Sequence, residues 1–195
     1  MTVTESESQT DDGAAFRMHV VAASIRLFSE KGYDATTVDD VAAAAGTSRR
    51  TLFRQFRSKE DLIFVDHESL LTQVRAFLES AAGDPWTAVC GGAKLVFSHY
   101  ETHRDLAVAR YAIVSQTPVL RDRELVTTYR YQRLFEEFLR ARFPELPRER
   151  IVAFSSAVTG VHNYLLRSLL RGEAAATPAH LDAELRRLVE LLAQR

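Results

Sequence analysis

The sequence predicts an all-α protein, and three observations support this fold class. Apolar residues recur every three to four positions along most of the chain, which is the spacing of one buried face of a helix. No run of alternating β-branched residues is bounded by turn signals, as a half-buried strand would be. Glycine and proline stand where the helical stretches end, as at Gly32, Gly46, Gly83 and Pro85.

Each predicted helix is justified by its ends as well as by its apolar stripe. Helix 2 begins after Thr37, whose hydroxyl can cap it while Asp40 reaches back, and Ser58 with Asp61 repeats this pattern at helix 4. Gly46 ends helix 2, because glycine adopts the left-handed conformation at little cost. The predicted helices cover residues 14–31, 38–45, 48–55, 58–82, 86–103, 106–115, 118–143, 148–171 and 178–194.

The chain is predicted to have three parts. Residues 1–13 are polar and acidic, and we expect a disordered tail there. Residues 14–60 form a three-helix head, and residues 61–195 form a larger helical body. Within the body, Thr117-Pro118 and Thr177-Pro178 read as capped starts with proline at the first helical position.

Composition limits the class of protein. The 195 residues are 46% hydrophobic and 26% charged, with a net charge of -1, which suits an ordinary globular chain. The single cysteine, Cys90, excludes an internal disulfide and a cysteine-based metal site, so we expect a reducing cytoplasm and neither metal nor cofactor. No apolar run approaches the ~20 residues that cross a bilayer, so we expect no membrane partner.

The second and third helices have the spacing of a helix-turn-helix, in which the second helix enters the major groove of DNA. Residues 47–59 contain five basic and no acidic side chains: Arg49, Arg50, Arg54, Arg57 and Lys59. Such a patch can bind phosphates, assisted by nearby hydroxyls: Thr37, Thr47, Ser48 and Thr51. Arg49 and Arg50 are the candidates for base reading, because arginine pairs bidentately with guanine. The alternative is a merely solvated basic face.

The same stretch carries a recognisable set of residues: Gly32-Tyr33, Thr36-Thr37-Val38, Val41-Ala42, Ala45-Gly46-Thr47-Ser48, Thr51-Leu52-Phe53, Phe56 and Ser58-Lys59-Glu60-Asp61-Leu62. In these residues the chain resembles the TetR family of bacterial regulators, over about a quarter of its length. The resemblance implies that Thr37 caps helix 2 beside a phosphate and that residues 48–51 face the groove. It also implies that Lys59 touches the DNA backbone.

Two residues depart from the family pattern. Phe53 occupies a position where the family often has a phosphate-binding tyrosine, and Gln55 stands where histidine is common. Phe53 cannot donate that hydrogen bond. We therefore expect the neighbouring Arg54 to bind a phosphate in its place.

Similar regulators bind a small molecule inside the body. The candidate lining residues are Trp86, Phe97, Tyr100, His103, Tyr111, Tyr131, Phe135 and His162, because ligand pockets combine aromatic walls with a few polar groups. The alternative is that these aromatic residues are ordinary core. His99 and His103 stand four apart on one helix, but nothing completes a metal site there.

The last two helices carry apolar stripes wide enough to predict a second copy as partner. The expected interface residues are Phe154, Val158, Val161, Leu165, Leu185, Leu188 and Leu192. Two such hairpins would form a four-helix interface and present two recognition helices to a palindromic site. Alternatively, the stripes close the core of a single chain.

These observations favour a homodimeric regulator that binds a double-stranded DNA operator and is released by a small-molecule effector. The resemblance to the family implies that this regulator is a repressor. One alternative is a helical small-molecule-binding protein or enzyme with an incidental basic head. No nucleophile motif or glycine-rich phosphate loop supports enzymatic chemistry. Another alternative is an architectural DNA-binding protein without an effector.

Overall fold

The fold is given by a computed structural model that describes residues 3–192, with their side chains except those of residues 3–12, 14 and 65. Regular structure in this range is entirely helical, which confirms the all-α class. The helices are α1 (Val3–Lys31), α2 (Val38–Ala44), α3 (Arg49–Gln55), α4 (Asp61–Ser80), α5 (Pro85–Thr102), α6 (Arg104–Gln116), α7 (Pro118–Arg142), α8 (Arg148–Leu170) and α9 (Pro178–Leu192). Within residues 3–192, none of them combines the length and apolarity needed to cross a membrane.

The start of α1 differs from the sequence prediction. The backbone is helical from Val3 onward, whereas a disordered tail was predicted for residues 1–13 and a helix start at Ala14. No proline interrupts the polar stretch before Ala14, and extending an existing helix costs far less than nucleating one. Met1 and Thr2 lie outside the described residues.

The chain folds into two compact units that are not simply consecutive. The first comprises the residues up to Glu68 together with Ala109–Arg121, and the second comprises Ser69–Val108 together with Asp122–Arg195. The division predicted at residue 60 therefore falls too early, and the head also includes a segment from the middle of the chain. Local patterns could not reveal this segment, because it joins the head only through tertiary packing.

The first unit is built on short helices around a small apolar core. α1 packs on α2 and α2 on α3, and Val20, Val41 and Leu52 are almost completely buried between them. Helix α4 starts with regular backbone and then departs from it at Phe64, where φ is -107° and ψ is 16°. The early part of α4 is thus bent within the first unit.

The second unit is a helical bundle in which α5, α8 and α9 pack against one another. The ring of Trp86 lies against Phe143 and Phe154, with centroids 5.1 and 4.7 Å away. Gly92 allows a close approach at this level of the bundle. A Cβ there would stand 3.1 Å from the Phe135 side chain and 3.2 Å from the Val74 side chain, so even alanine would require these side chains to shift by a few tenths of an ångström.

Candidate nucleic-acid interface and helical body

Helix α2 is fixed at its N-terminus by a complete capping box, as predicted. The Thr37 hydroxyl accepts a hydrogen bond from the Asp40 amide at 3.1 Å, and the Asp40 carboxylate accepts from the Thr37 amide at 2.8 Å. These bonds hold the pKa of Asp40 below its usual range. The Thr37 hydroxyl also donates to Asp40 at 2.7 Å, so its proton is already used within the cap.

The turn between α2 and α3 depends on one glycine. Gly46 has a φ of +61°, a conformation that side chains with a Cβ rarely adopt. The Thr47 amide donates to the Ala42 carbonyl at 2.9 Å and closes the turn. Ser48 then caps α3, and its hydroxyl accepts from the Thr51 amide at 3.1 Å. The chain therefore reverses within four residues, which is the geometry of a helix-turn-helix.

Helix α3 has one buried and one exposed face. Leu52 and Phe56, at 1% and 3% exposure, anchor it to the core of the first unit. Arg50, Phe53 and Arg54 lie on the exposed side, and Phe53 is 46% exposed. The apolar anchors leave the N-terminal residues of α3 accessible, as a recognition helix requires.

Arg49, one of the two predicted base-reading residues, contacts two neighbouring side chains. Its guanidinium forms an ion pair with Asp39 of α2 at 2.7 Å and lies 5.2 Å from the centroid of the Phe53 ring. Both charged side chains are more than half exposed, at 59% and 61%. Asp39 was missed because the spacing of ten residues has no local signature across a turn.

The other arginines of the basic patch are available. Arg50, Arg54 and Arg57 are exposed, and none of them forms an ion pair with any side chain that the structure describes. Three guanidinium groups thus extend from one short segment, and no carboxylate among the described side chains neutralises them. This arrangement suits the binding of phosphates and of base edges.

Lys59, whose contact with the DNA backbone stays a prediction, binds within the first unit when DNA is absent. Its ammonium donates to the Tyr33 carbonyl and lies 4.1 Å from the centroid of the Tyr33 ring. Partial burial lowers the pKa of Lys59, and burial together with a hydrogen bond to Glu60 raises the pKa of Tyr33. In this structure Lys59 joins the start of α4 to the segment after α1.

The first unit contains a buried ion pair that sequence reasoning missed. The guanidinium of Arg110, from α6, lies 2.9 Å from the carboxylate of Asp66, from α4. Their side chains are only 6% and 10% exposed. No motif connects residues so distant in sequence, so only the fold reveals this contact.

The predicted effector residues divide into two groups. Trp86, Phe97, Tyr100, Tyr131, Phe135 and His162 are buried in the second unit, and the rings of Phe97 and His162 meet edge to face at 6.0 Å. His103 is exposed and lies beside His99, with ring centroids 5.1 Å apart. Tyr111 is half-buried and belongs to the first unit. The second unit therefore contains seven of the eight candidates, and six of these are buried in it.

Four of the predicted dimer residues are corrected by their burial. Phe154, Val158, Leu165 and Leu185 have exposures of 0%, 0%, 3% and 1%, so they form the core of their own chain and cannot contact a partner. Val161, Leu188 and Leu192 remain partly accessible. The prediction was wrong for these four residues because α8 carries apolar side chains over a wide part of its circumference. The apolar pattern alone does not show which of these side chains are covered by other helices of the same chain.

Two exposed side chains on these helices were not among the expected interface residues. Tyr164 of α8 is 65% exposed and Leu191 of α9 is 74% exposed. Ser156 and Gly160 precede Tyr164 on the exposed side of α8. We call Ser156, Gly160, Tyr164 and Leu191 the outer surface of the terminal hairpin.

A short exposed basic helix, carried on a glycine turn and anchored by two apolar residues, defines the class of protein. It is a helix-turn-helix protein of the kind that binds double-stranded DNA. Residues 20–64 match the bacterial regulatory proteins of the tetR family. Residues 20–64 of this chain are therefore a DNA-binding domain of the TetR type.

Individual relatives agree with this assignment. YerO of Bacillus subtilis (strain 168), an uncharacterised HTH-type transcriptional regulator, is 26% identical over 175 residues, which are 85% of this chain and 58% of YerO. The chain spans less than two thirds of the length of the curated relatives it matches, between 21% and 58% in the alignments.

Solved structures of low identity share the fold. A TetR-family regulator from Syntrophomonas wolfei superposes with a TM-score of 0.70 at 16% identity, covering 93% of this chain and 97% of that one. FadR of Bacillus subtilis, solved in complex with stearoyl-CoA, gives a TM-score of 0.63 at 17% identity, covering 88% of this chain and 97% of FadR. Both likenesses extend beyond the head into the helical body.

Proposed function

We propose that this chain is a transcription regulator that binds a palindromic operator in the cytoplasm as a homodimer and is released by a small-molecule effector. Repression is the proposed mode, because an occupied operator blocks transcription and effector binding restores it. The basic head is the part of the chain that matches the family, and it favours this function over the enzyme alternative.

One observation carries the DNA-binding part of the proposal. Arg50 and Arg54 extend from the exposed side of α3 without an ion pair to any described side chain, while Leu52 and Phe56 fix the other side. A rigid helix with free guanidinium groups can enter the major groove, where arginine recognises guanine. We assign base reading to Arg50 and phosphate binding to Arg54.

The effector response is supported by the second unit. Its core combines aromatic rings with the buried imidazole of His162. FadR of Bacillus subtilis, which shares the fold, was solved with stearoyl-CoA bound. For an effector to release DNA it must bind the DNA-incompetent conformation more tightly, and the same coupling free energy then weakens DNA binding.

Dimerisation is proposed to use the outer surface of the terminal hairpin. Tyr164 and Leu191 are large, apolar and exposed, and the small residues Ser156 and Gly160 permit close approach of a second helix. A two-fold homodimer would carry two copies of α3, and the half-sites that such dimers read are about one helical turn apart, roughly 34 Å.

The test is selection of bound duplexes from a random DNA pool by the purified protein and by two variants. Wild type is expected to enrich a palindrome, and Arg50→Ala is expected to lose preference at one position in each half-site, at a cost of about 1 to 3 kcal/mol. Arg54→Ala is expected to keep the sequence preference but lower the salt dependence of binding by about one phosphate contact.

Arg140→Ala is the matched control, because Arg140 is an exposed arginine of α7 outside the head. It should leave both the selected sequence and the salt slope unchanged. Enrichment of no sequence by wild type at moderate salt would refute specific operator recognition. An unchanged salt slope for Arg54→Ala would refute its role as a phosphate ligand.

A further inference from the structure

Helix α8 buries three polar side chains along one face. Ser155, Thr159 and His162 have exposures of 0%, 7% and 7%, and their spacing of four and three residues places them on successive turns. Polar groups are costly in such a position unless each of them is hydrogen-bonded. Each of these three side chains therefore requires a hydrogen-bond partner inside the fold.

Only one of the three has its hydrogen bond supplied by the backbone. The Thr159 hydroxyl donates to the Ser155 carbonyl at 2.8 Å. The Ser155 hydroxyl and Nε2 of His162 are buried and have no hydrogen-bond partner among the residues that the structure describes. Each such atom costs about 1 to 3 kcal/mol, so two orphan atoms on one helix face require an explanation.

The protonation of His162 follows from its neighbours. Nδ1 of His162 lies 3.2 Å from Oδ1 of Asn163, and Nδ2 of Asn163 donates to the Thr128 hydroxyl at 3.4 Å, so the amide oxygen faces the imidazole. Because an amide oxygen only accepts, the proton of a neutral imidazole lies on Nδ1. Nε2 is then a bare acceptor. Burial lowers the pKa of His162 to about 4, so the ring is neutral at pH 7.

The surroundings of this acceptor are apolar. The ring of Phe97 faces the imidazole edge to face at 6.0 Å, and Val158 and Leu165 of the same helix are buried in the core of the second unit. A hydrogen bond formed in such surroundings is stronger than one formed in water. An anion could not be held at Nε2, because it would face a lone pair instead of a proton.

We propose that the effector is a neutral, largely apolar molecule with a hydroxyl or N–H group that donates a hydrogen bond to Nε2 of His162, with the Ser155 hydroxyl as a second polar contact. This inference rests on the effector response proposed above and names its chemistry. The apolar part of the molecule would pack among the aromatic side chains around Phe97. Its donor group would satisfy the acceptor that the protein leaves unmatched.

The first experiment compares two isomeric probes, 1-decanol, which carries a donor, and the ether 1-methoxynonane, which does not, by titration of the protein without DNA. Trp86 is the only tryptophan of the chain and lies in the same core, so its fluorescence reports occupancy. The alcohol is expected to bind at least tenfold more tightly than the ether. Equal affinity of the two probes, or binding of neither, would overturn the proposal.

Two variants assign any difference to His162. His162→Leu removes the acceptor and should abolish the preference for the alcohol, whereas His162→Gln keeps an acceptor oxygen near Nε2 and should retain most of it. A preference that survives in His162→Leu would place the donor contact elsewhere and contradict the proposal.

The stability of the unliganded protein gives a readout that needs no probe. If Nε2 has no partner, His162→Leu and Ser155→Ala should leave the midpoint of thermal unfolding unchanged or raise it, since each removes a buried unsatisfied atom. A fall of several degrees in both variants would mean that the two groups are structural. Because these measurements omit DNA, they are independent of the outcome of the operator selection.

Discussion

The side chain of Arg49 is shared between Asp39 and Phe53 in the DNA-free protein. The ion pair with Asp39 measures 2.7 Å, and both side chains are more exposed than buried. Such exposed pairs contribute little to stability, typically about 0 to 1 kcal/mol. The carboxylate matters more for binding, because it lies beside the residues that would approach the phosphates and would repel them.

We expect Asp39→Asn to strengthen DNA binding by about two- to fivefold, equally for operator and random duplexes, since it removes a repulsive charge without altering base contacts. Fluorescence anisotropy with a labelled duplex at several salt concentrations measures this. Asp122→Asn in α7 makes the same change in net charge at an exposed position outside the head and should have little effect. Weaker binding by Asp39→Asn would show instead that Asp39 orients Arg49 for recognition.

At the level of elements, α4 and α6 are joined inside the first unit by the Asp66–Arg110 pair. Asp66 follows the irregular backbone of Phe64 by two residues, so the ion pair fixes α4 just after its bend. Removing one partner of a buried pair usually destabilises a protein by about 3 to 5 kcal/mol, whereas replacing both by apolar residues is often neutral. The pair can therefore hold the two helices in register even if it adds little net stability.

Arg110→Met is expected to lower the free energy of unfolding by about 3 to 5 kcal/mol, and adding Asp66→Leu should restore most of that loss. Urea titration monitored by circular dichroism gives both values. Arg26→Met is the control, because the Arg26–Glu30 pair is exposed, at 55% and 54%, and its loss should cost less than about 1 kcal/mol. If the double variant stays as unstable as the single one, the contribution of Asp66 or Arg110 lies in other contacts.

At the level of the whole molecule, what could be predicted depended on the distance in sequence between interacting residues. The caps at Thr37 and Ser58 and the turn at Gly46 were predictable, because their partners lie within four residues. The Arg49–Asp39 contact and the inclusion of Ala109–Arg121 in the first unit were not, because they depend on how helices pack. Most of the aromatic residues predicted to contact an effector are buried in the second unit, where that contact stays a prediction, but Tyr111 belongs to the first unit.

Helix α8 also shows that the sequence pattern does not reveal which side chains are covered by packing. Its sequence carries apolar residues around most of its circumference, so periodicity predicted a partner without showing which residues remain outside. Packing of α5 and α9 against α8 covers Phe154, Val158 and Leu165 and leaves Tyr164 exposed. The exposed side of α8 therefore differs from the predicted stripe, and it contains the small residues Ser156 and Gly160.

Tyr164→Glu tests whether this surface forms the homodimer. Since Tyr164 is 65% exposed, the substitution should change the stability of a single chain by less than about 0.5 kcal/mol. A charge at the centre of an apolar interface should nevertheless shift the protein to monomers, and operator affinity should fall by about a hundredfold because two heads no longer bind as one unit. Sedimentation velocity at micromolar concentration and operator titration measure the two effects.

Val119→Glu is the control for this prediction. It places the same charge at another exposed apolar residue, 46% accessible in the first unit, and should leave the dimer intact. A dimer that persists in Tyr164→Glu but dissociates in Val119→Glu would move the interface away from the terminal hairpin, and the proposed spacing of the two recognition helices would have to be rebuilt around that other surface.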